Sequence, residues 1–295
     1  MNVHSILAGL LLIAAGAFTS GSFAIPFGKI KDWKWETYWM VYSISAYIIF
    51  PLCACLIFAP GFLIIYKKVP NNVLMRVFLL GAIYGVGNLS FGLSLRYLGI
   101  SLGYALSLGL MLAIGTLIPP LIDGRLEIMI ERSGGNLLIA GVLVSCLGIA
   151  LSGGAGFMKD KIISDSEKKK SISEFNLING ILAAILVGIT GSAMSLGFEQ
   201  GLPLADYAAK SGVDTLFITM PVILLLLSGT MVTTLIWCIW LGFRNKSIMD
   251  YLRSRSSSEL AFNYLFAGMA GLLWFSQFIL YGMGRSKMGK FTFTS

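Results

Sequence analysis

Between Val77 and Ile122 the chain carries a single charged residue, Arg96, inside an apolar run about twice as long as a membrane requires. A helix rises ~1.5 Å per residue and the hydrocarbon core is ~30 Å thick, so about 20 residues span it. The run must therefore fold back on itself, and Arg96-Tyr97-Leu98-Gly99 is the one credible turn. A charge at the bilayer centre costs at least ~2.5–3.5 kcal/mol, whereas near an interface its long stem lets it reach water. Arg96 is thus expected to anchor a turn at the membrane edge, with a gating or coupling cation as its second reading.

Only 12% of residues are charged and 56% are hydrophobic, against about 25% charged in an ordinary soluble domain. An all-α, polytopic helical membrane protein follows. Eight segments have the length and composition of spans, at residues 5–26, 37–66, 77–97, 101–122, 136–153, 177–198, 215–242 and 262–284. The net charge of +8 fits loops that set orientation and meet anionic lipid, not nucleic acid. Lys and Arg number 13 in the loops after the odd spans and 9 in the loops and tail after the even ones. That bias places the first set in the cytoplasm and the N-terminus outside. Cys53, Cys55, Cys146 and Cys238 all lie in apolar runs and read as small core residues. With His4 as the single histidine, neither a disulfide framework nor a metal site or other cofactor is expected.

The segment 154–176, with Glu167 followed by Lys168, Lys169 and Lys170, divides the chain into halves at 1–153 and 177–295. Spans 1 and 6 align at an offset of 171 residues, pairing Gly9 with Gly180, Thr19 with Thr190 and Phe27 with Phe198. Spans 3 and 8 align at an offset of 189, pairing Asn88 with Gln277 and Arg96 with Arg285. Both offsets imply a five-span unit, an odd number, so the second copy is inverted. By that count the second half lacks partners for spans 4 and 5, and the chain reads as eight spans of a ten-span, 5+5 inverted repeat.

No phosphate-binding loop or hydrolase arrangement supports an enzyme; the Gly81/Gly85 spacing reads as a helix-packing face. Polar groups within the spans are more informative. A buried amide without a partner costs several kcal/mol, so Asn88 and Gln277 must face protein or a wet cavity. Tyr84 shares a helix face with Asn88, and Trp274 and Tyr281 share one with Gln277. Amides beside flat aromatic faces suit a neutral, polyhydroxylated ligand. All 14 acidic residues fall in loops or at span ends. Glu36 is the candidate for proton coupling because Trp33, Trp35 and Trp39 can remove it from water, which favours its protonated form. Its alternative role is to cap the first turn of span 2.

The blocks PFGKIKDWKWET (26–37), GVGN and LRYLG within 81–103, EFNL (174–177) and GLLWFSQFILY (271–281) resemble the L-rhamnose–proton symporter family of the drug/metabolite transporter superfamily. The resemblance runs in order from span 1 to span 8. It implies ten spans in two inverted repeats, a bacterial inner-membrane location and uptake of a deoxy-sugar with a proton by alternating access. On that reading the sugar sits near the midplane between the repeats, contacted by Asn88 and Gln277, with Tyr84 and Trp274 stacking. The family pattern continues for two spans past Ser295, and related transporters keep the N-terminus in the cytoplasm, opposite to the loop count. A transporter of another small metabolite and a non-transporting sugar sensor or scaffold are the competing readings.

Overall fold

A computed structural model describes residues 3–122, 124, 126–131, 135–162, 175–253 and 256–288. These are mostly helical, and seven of the helices are long and apolar enough to cross a membrane. The protein is a multi-pass membrane protein. The polar groups of each helix backbone are satisfied within the helix, which is what lets it sit in hydrocarbon.

The first helix, α1 (Val3–Ser22), runs into a 3-10 turn at Ile25–Lys29. The second span consists of α2 (Trp35–Ile44), a π turn at Ser45–Ile49 and α3 (Phe50–Phe58). The π turn is closed by the Phe50 N–H donating to the Ser45 carbonyl, five residues back. Pro51 explains its place: the ring has no N–H and would collide with the preceding turn of a regular helix, so the backbone widens there. The expected span over 37–66 is corrected. It ends at Phe58, because Pro60 disfavours a helical Ala59 and Gly61 adopts φ +87°. A short separate helix, α4 (Phe62–Lys68), follows.

Next come α5 (Asn71–Leu98) and α6 (Ile100–Ile122), which meet where the sequence required a turn. Gly99, at φ +79°, is the sole residue between them and donates its N–H to the Leu95 carbonyl at 2.9 Å. The left-handed conformation closes a helix readily only without a Cβ. After α7 (Leu126–Glu131), α8 (Gly135–Ile162) continues past the expected end at Gly153. The charged run of the expected linker, Glu167 to Lys170, lies outside the described residues. The last four helices are α9 (Leu177–Gln200), α10 (Leu202–Lys210), α11 (Met220–Arg244) and α12 (Ser257–Met288). Of these only α10 was unexpected; it occupies what read as a loop.

The chain forms two compact units that do not follow the sequence halves. One comprises residues 1–82 and 197–294, the other 83–196, so the divisions fall inside α5 and α9. In the first unit α1 and α12 pack antiparallel, with Ser5 Oγ donating to the Lys287 carbonyl and Gly16 lying over Gln277. The start of α5 crosses α11 at closest approach through Gly81 and Gly229. A Cβ at Gly81 would stand 1.9 Å from the Leu226 carbonyl oxygen, and one at Gly229 2.0 Å from that of Phe78. Thr230 and Thr233 then donate across the crossing to the carbonyls of Gly81 and Ala82, at 2.9 and 2.8 Å. In the second unit Leu98, Leu106, Leu177 and Ala184 form the core, with Ile149 of α8 against them.

Large apolar side chains remain outside, among them Phe18 of α1 and Leu137, Val144 and Leu151 of α8. In a membrane these faces meet lipid. Two cysteines belong to that set: Cys55 and Cys238 are buried as expected, but Cys53 and Cys146 are exposed. Lipid tails accept a small thiol as well as a core does, so apolar context in sequence does not separate the two.

Candidate functional site

In the first unit a polar knot ties the start of α2 to the loop between α11 and α12. Glu36 is 2% exposed. Its Oε1 accepts hydrogen bonds from Asn245 Nδ2 at 2.9 Å and Ser247 Oγ at 2.7 Å. The expectation that Glu36 leaves water is met, and its carboxylate is held by a distant loop. Beside it Asp250 Oδ2 accepts from Thr37 Oγ1 at 3.1 Å and from the Lys34 N–H at 3.3 Å. The Lys34 ammonium donates to the Asn245 carbonyl. Asn263 of α12 completes the knot: Nδ2 donates to the Lys31 carbonyl at 2.8 Å, and Oδ1 accepts from the Lys31 N–H at 3.1 Å. Burial raises the Tyr251 phenol above its ordinary range, and Cys238, Glu36, Tyr264 and Asp250 push the same way. Tyr251 is therefore a neutral neighbour at pH 7.

An aromatic nest continues from this knot along the second span. Trp35 and Trp39 stack with centroids 5.0 Å apart, and Tyr42 lies 5.1 Å from Trp39. Phe23 and Phe27 close on Tyr42 from the end of α1 and the 3-10 turn. Tyr47, inside the π turn, and Tyr42 both meet Trp274 of α12 edge-on, at 5.3 and 6.4 Å. The backbone of α12 reaches the π turn at Gly271, where a Cβ would stand 2.7 Å from Ser45 Cβ. Trp39 Nε1 and Ser43 Oγ are buried with no hydrogen-bond partner among the described residues.

The other sequence-derived candidates divide between the units. Trp274 is buried in the nest. Gln277, one turn on, is half-buried and donates Nε2 to the Trp274 carbonyl of its own helix at 2.8 Å. Tyr281 is 38% exposed. In the second unit Asn88 is 6% exposed and hydrogen-bonded to half-buried Tyr84. Its Oδ1 is buried without a partner among the described residues. Nearby on α5 and α6, Ser107 Oγ donates to Ser94 Oγ at 2.9 Å and Tyr104 packs edge-on against Phe91. Arg96 is half-buried in the last turn of α5, next to the Gly99 turn.

A family model described as L-rhamnose-proton symport protein (RhaT) matches residues 1–294. The chain belongs to this family. It is 31% identical over 288 residues to the L-rhamnose-proton symporter of Yersinia pestis (strain Pestoides F), covering 97% of this chain and 82% of that protein. It is 33% identical over 292 residues to the L-rhamnose-proton symporter of Escherichia coli (strain 55989 / EAEC), again over 97% and 82% of the two lengths. No solved structure matches the chain.

For this member of the symport family, sequence reasoning found Glu36 but not its holders. Asn245 and Ser247 lie 209 and 211 residues away and carry no local signature. The nest was partly visible. Trp35, Trp39 and Tyr42 follow an i, i+4, i+7 spacing that marks one helix face, while Tyr47 joins them only through the π turn.

Proposed function

We propose that the chain imports L-rhamnose with a proton across the bacterial inner membrane by alternating access, and catalyses no reaction. The observation that carries this reading is the family match over residues 1–294. A buried carboxylate of the kind that proton coupling needs supports it. Glu36 carries the proton in this scheme, since a carboxylate shielded from bulk water changes the charge of its surroundings when it titrates.

The sugar is assigned to Asn88, Tyr84, Gln277, Trp274 and Tyr281. Asn88 has the best support. A buried amide oxygen without a donor is costly, and a sugar hydroxyl can supply the missing hydrogen bond. The Trp274 ring offers an apolar face for the C–H side of a pyranose. Arg96 is assigned to gating at the α5–α6 turn. The two five-span repeats, 1–153 and 177–295, belong to the same proposal.

Uptake of radiolabelled L-rhamnose by cells making this chain, with and without a protonophore, tests the reading. Accumulation that collapses with the protonophore is expected. Uptake indifferent to it removes the proton, and no uptake of rhamnose removes the sugar.

A further inference from the structure

We infer that Asn245 and Ser247 are positioning residues for proton coupling: they hold the Glu36 carboxylate ionised, and loss of that charge loosens the loop between α11 and α12. This rests on the reading of Glu36 as the proton carrier.

The argument begins with what each donor prefers. Asn245 Nδ2 and Ser247 Oγ both give hydrogen bonds to the same oxygen, Oε1. Bonds from neutral donors to a carboxylate are roughly twice as strong as those to an uncharged acceptor. Both donors therefore favour the ionised form of Glu36, and both grip it less tightly once a proton arrives. The group sits at 2% exposure, where water is not on hand to replace what is lost.

The grip reaches the fold through a short loop. The Ser247 N–H donates to the Gly242 carbonyl at 2.9 Å and the Asp250 N–H to the Ser247 carbonyl at 3.0 Å, so Ser247 is fixed at both sides. Lys246, between the two donors, is held at φ +56°, a conformation side chains rarely adopt without support. Charged and titratable groups near Glu36 among the described residues include those from four places. Lys34 is on its own side of the knot, Cys238 is on α11, Asp250 and Tyr251 are in the loop, and Tyr264 is on α12. Lys34 favours an ionised Glu36 and Asp250 opposes it. Tyr251, pushed up by burial, is neutral near pH 7. Two neutral donors are bonded to one oxygen of the carboxylate, and the loop that bears them is the element its charge controls.

Two measurements on the full chain in lipid test this. Infrared spectroscopy follows the protonated-carboxyl band that Glu36→Gln removes, as pH is varied. Ser247→Ala and Asn245→Ala should each raise the protonation midpoint by about one to two pH units, and Ser247→Thr, which keeps the hydroxyl, should restore it. A midpoint within a few tenths of wild type in both alanine variants overturns the inference. Hydrogen exchange at fixed pH then compares wild type with Glu36→Gln, which keeps the shape and an acceptor oxygen but not the charge. Amides of Ser247 and Asp250 should lose about tenfold of their protection. Equal protection overturns the link from charge to loop. Neither readout requires transport: shifted midpoints together with protonophore-insensitive uptake would sink the symport reading and leave the latch standing.

Discussion

Glu36 and Asn88 are both polar side chains buried inside helices of a membrane protein, yet their surroundings are opposite. Glu36, in the first unit, has its carboxylate bonded by two donors that the chain itself supplies. Asn88, in the second, keeps an amide oxygen to which no described residue donates. Under the proposed reading, the satisfied carboxylate takes up a proton, and the unpartnered amide oxygen accepts from a sugar hydroxyl that arrives from outside. The other residues of the proposed sugar site, Gln277, Trp274 and Tyr281, lie in the same unit as Glu36.

The sharpest break of that contrast is Glu36→Gln. It should abolish accumulation against a gradient while sugar exchange between the two sides continues. Concentrative uptake by this variant returns Glu36 to the role of a helix-end charge. Asn88→Ala comes next, with uptake affinity lowered roughly 5- to 150-fold, the range for one hydrogen bond lost from a buried polar pair. The two sites should also differ in stability. Glu36→Ala leaves the buried Ser247 hydroxyl unsatisfied at about 1–3 kcal/mol and also frees the half-buried Asn245 amide, whereas Asn88→Ala gives up little more than the bond to Tyr84, about 1 kcal/mol. Thermal melts in detergent that rank the two the other way would break the comparison. Gln277→Ala should weaken uptake by a smaller factor, about 3- to 10-fold, because its amide N–H is already engaged by its own helix. The smallest effects belong to Tyr281→Phe and Arg96→Lys, within about twofold in uptake rate. The first residue is already 38% exposed, and the second can be replaced by another snorkelling cation. A large loss in Arg96→Lys would show that the planar guanidinium acts as more than an anchor.

What the sequence revealed and what it hid follow from the range of the forces involved. The fold-back at Gly99 was legible because membrane thickness and a lone charge leave few alternatives. The packing role of Gly81 was legible from spacing, and its partner Leu226 was not. The break at Ala59-Pro60-Gly61 was missed because three apolar or neutral residues do not interrupt a hydropathy run, although proline and glycine do interrupt a helix. At the site, three tryptophans around Glu36 announced its desolvation. Its donors come from a loop more than two hundred residues away, and nothing local in Asn245 or Ser247 points back to it.

The π turn at Ser45–Ile49 gives the second span a built-in change of phase. One extra residue in a turn rotates everything after it by ~100° relative to an unbroken helix. The two ends of the span are thus clocked separately, Trp35 and Trp39 by the nest and Ala54 and Cys55 by the packing of α3. Deleting a single residue between Ser45 and Ile49 would close the turn to a regular one and leave Ala54 and Cys55 facing inward and Leu56 outward. Making the turn regular with every residue kept would instead advance the far end by ~100°, taking Cys55 out of the interior and bringing Cys53 into it. The damage from such straightening would appear a full turn or more from the turn itself.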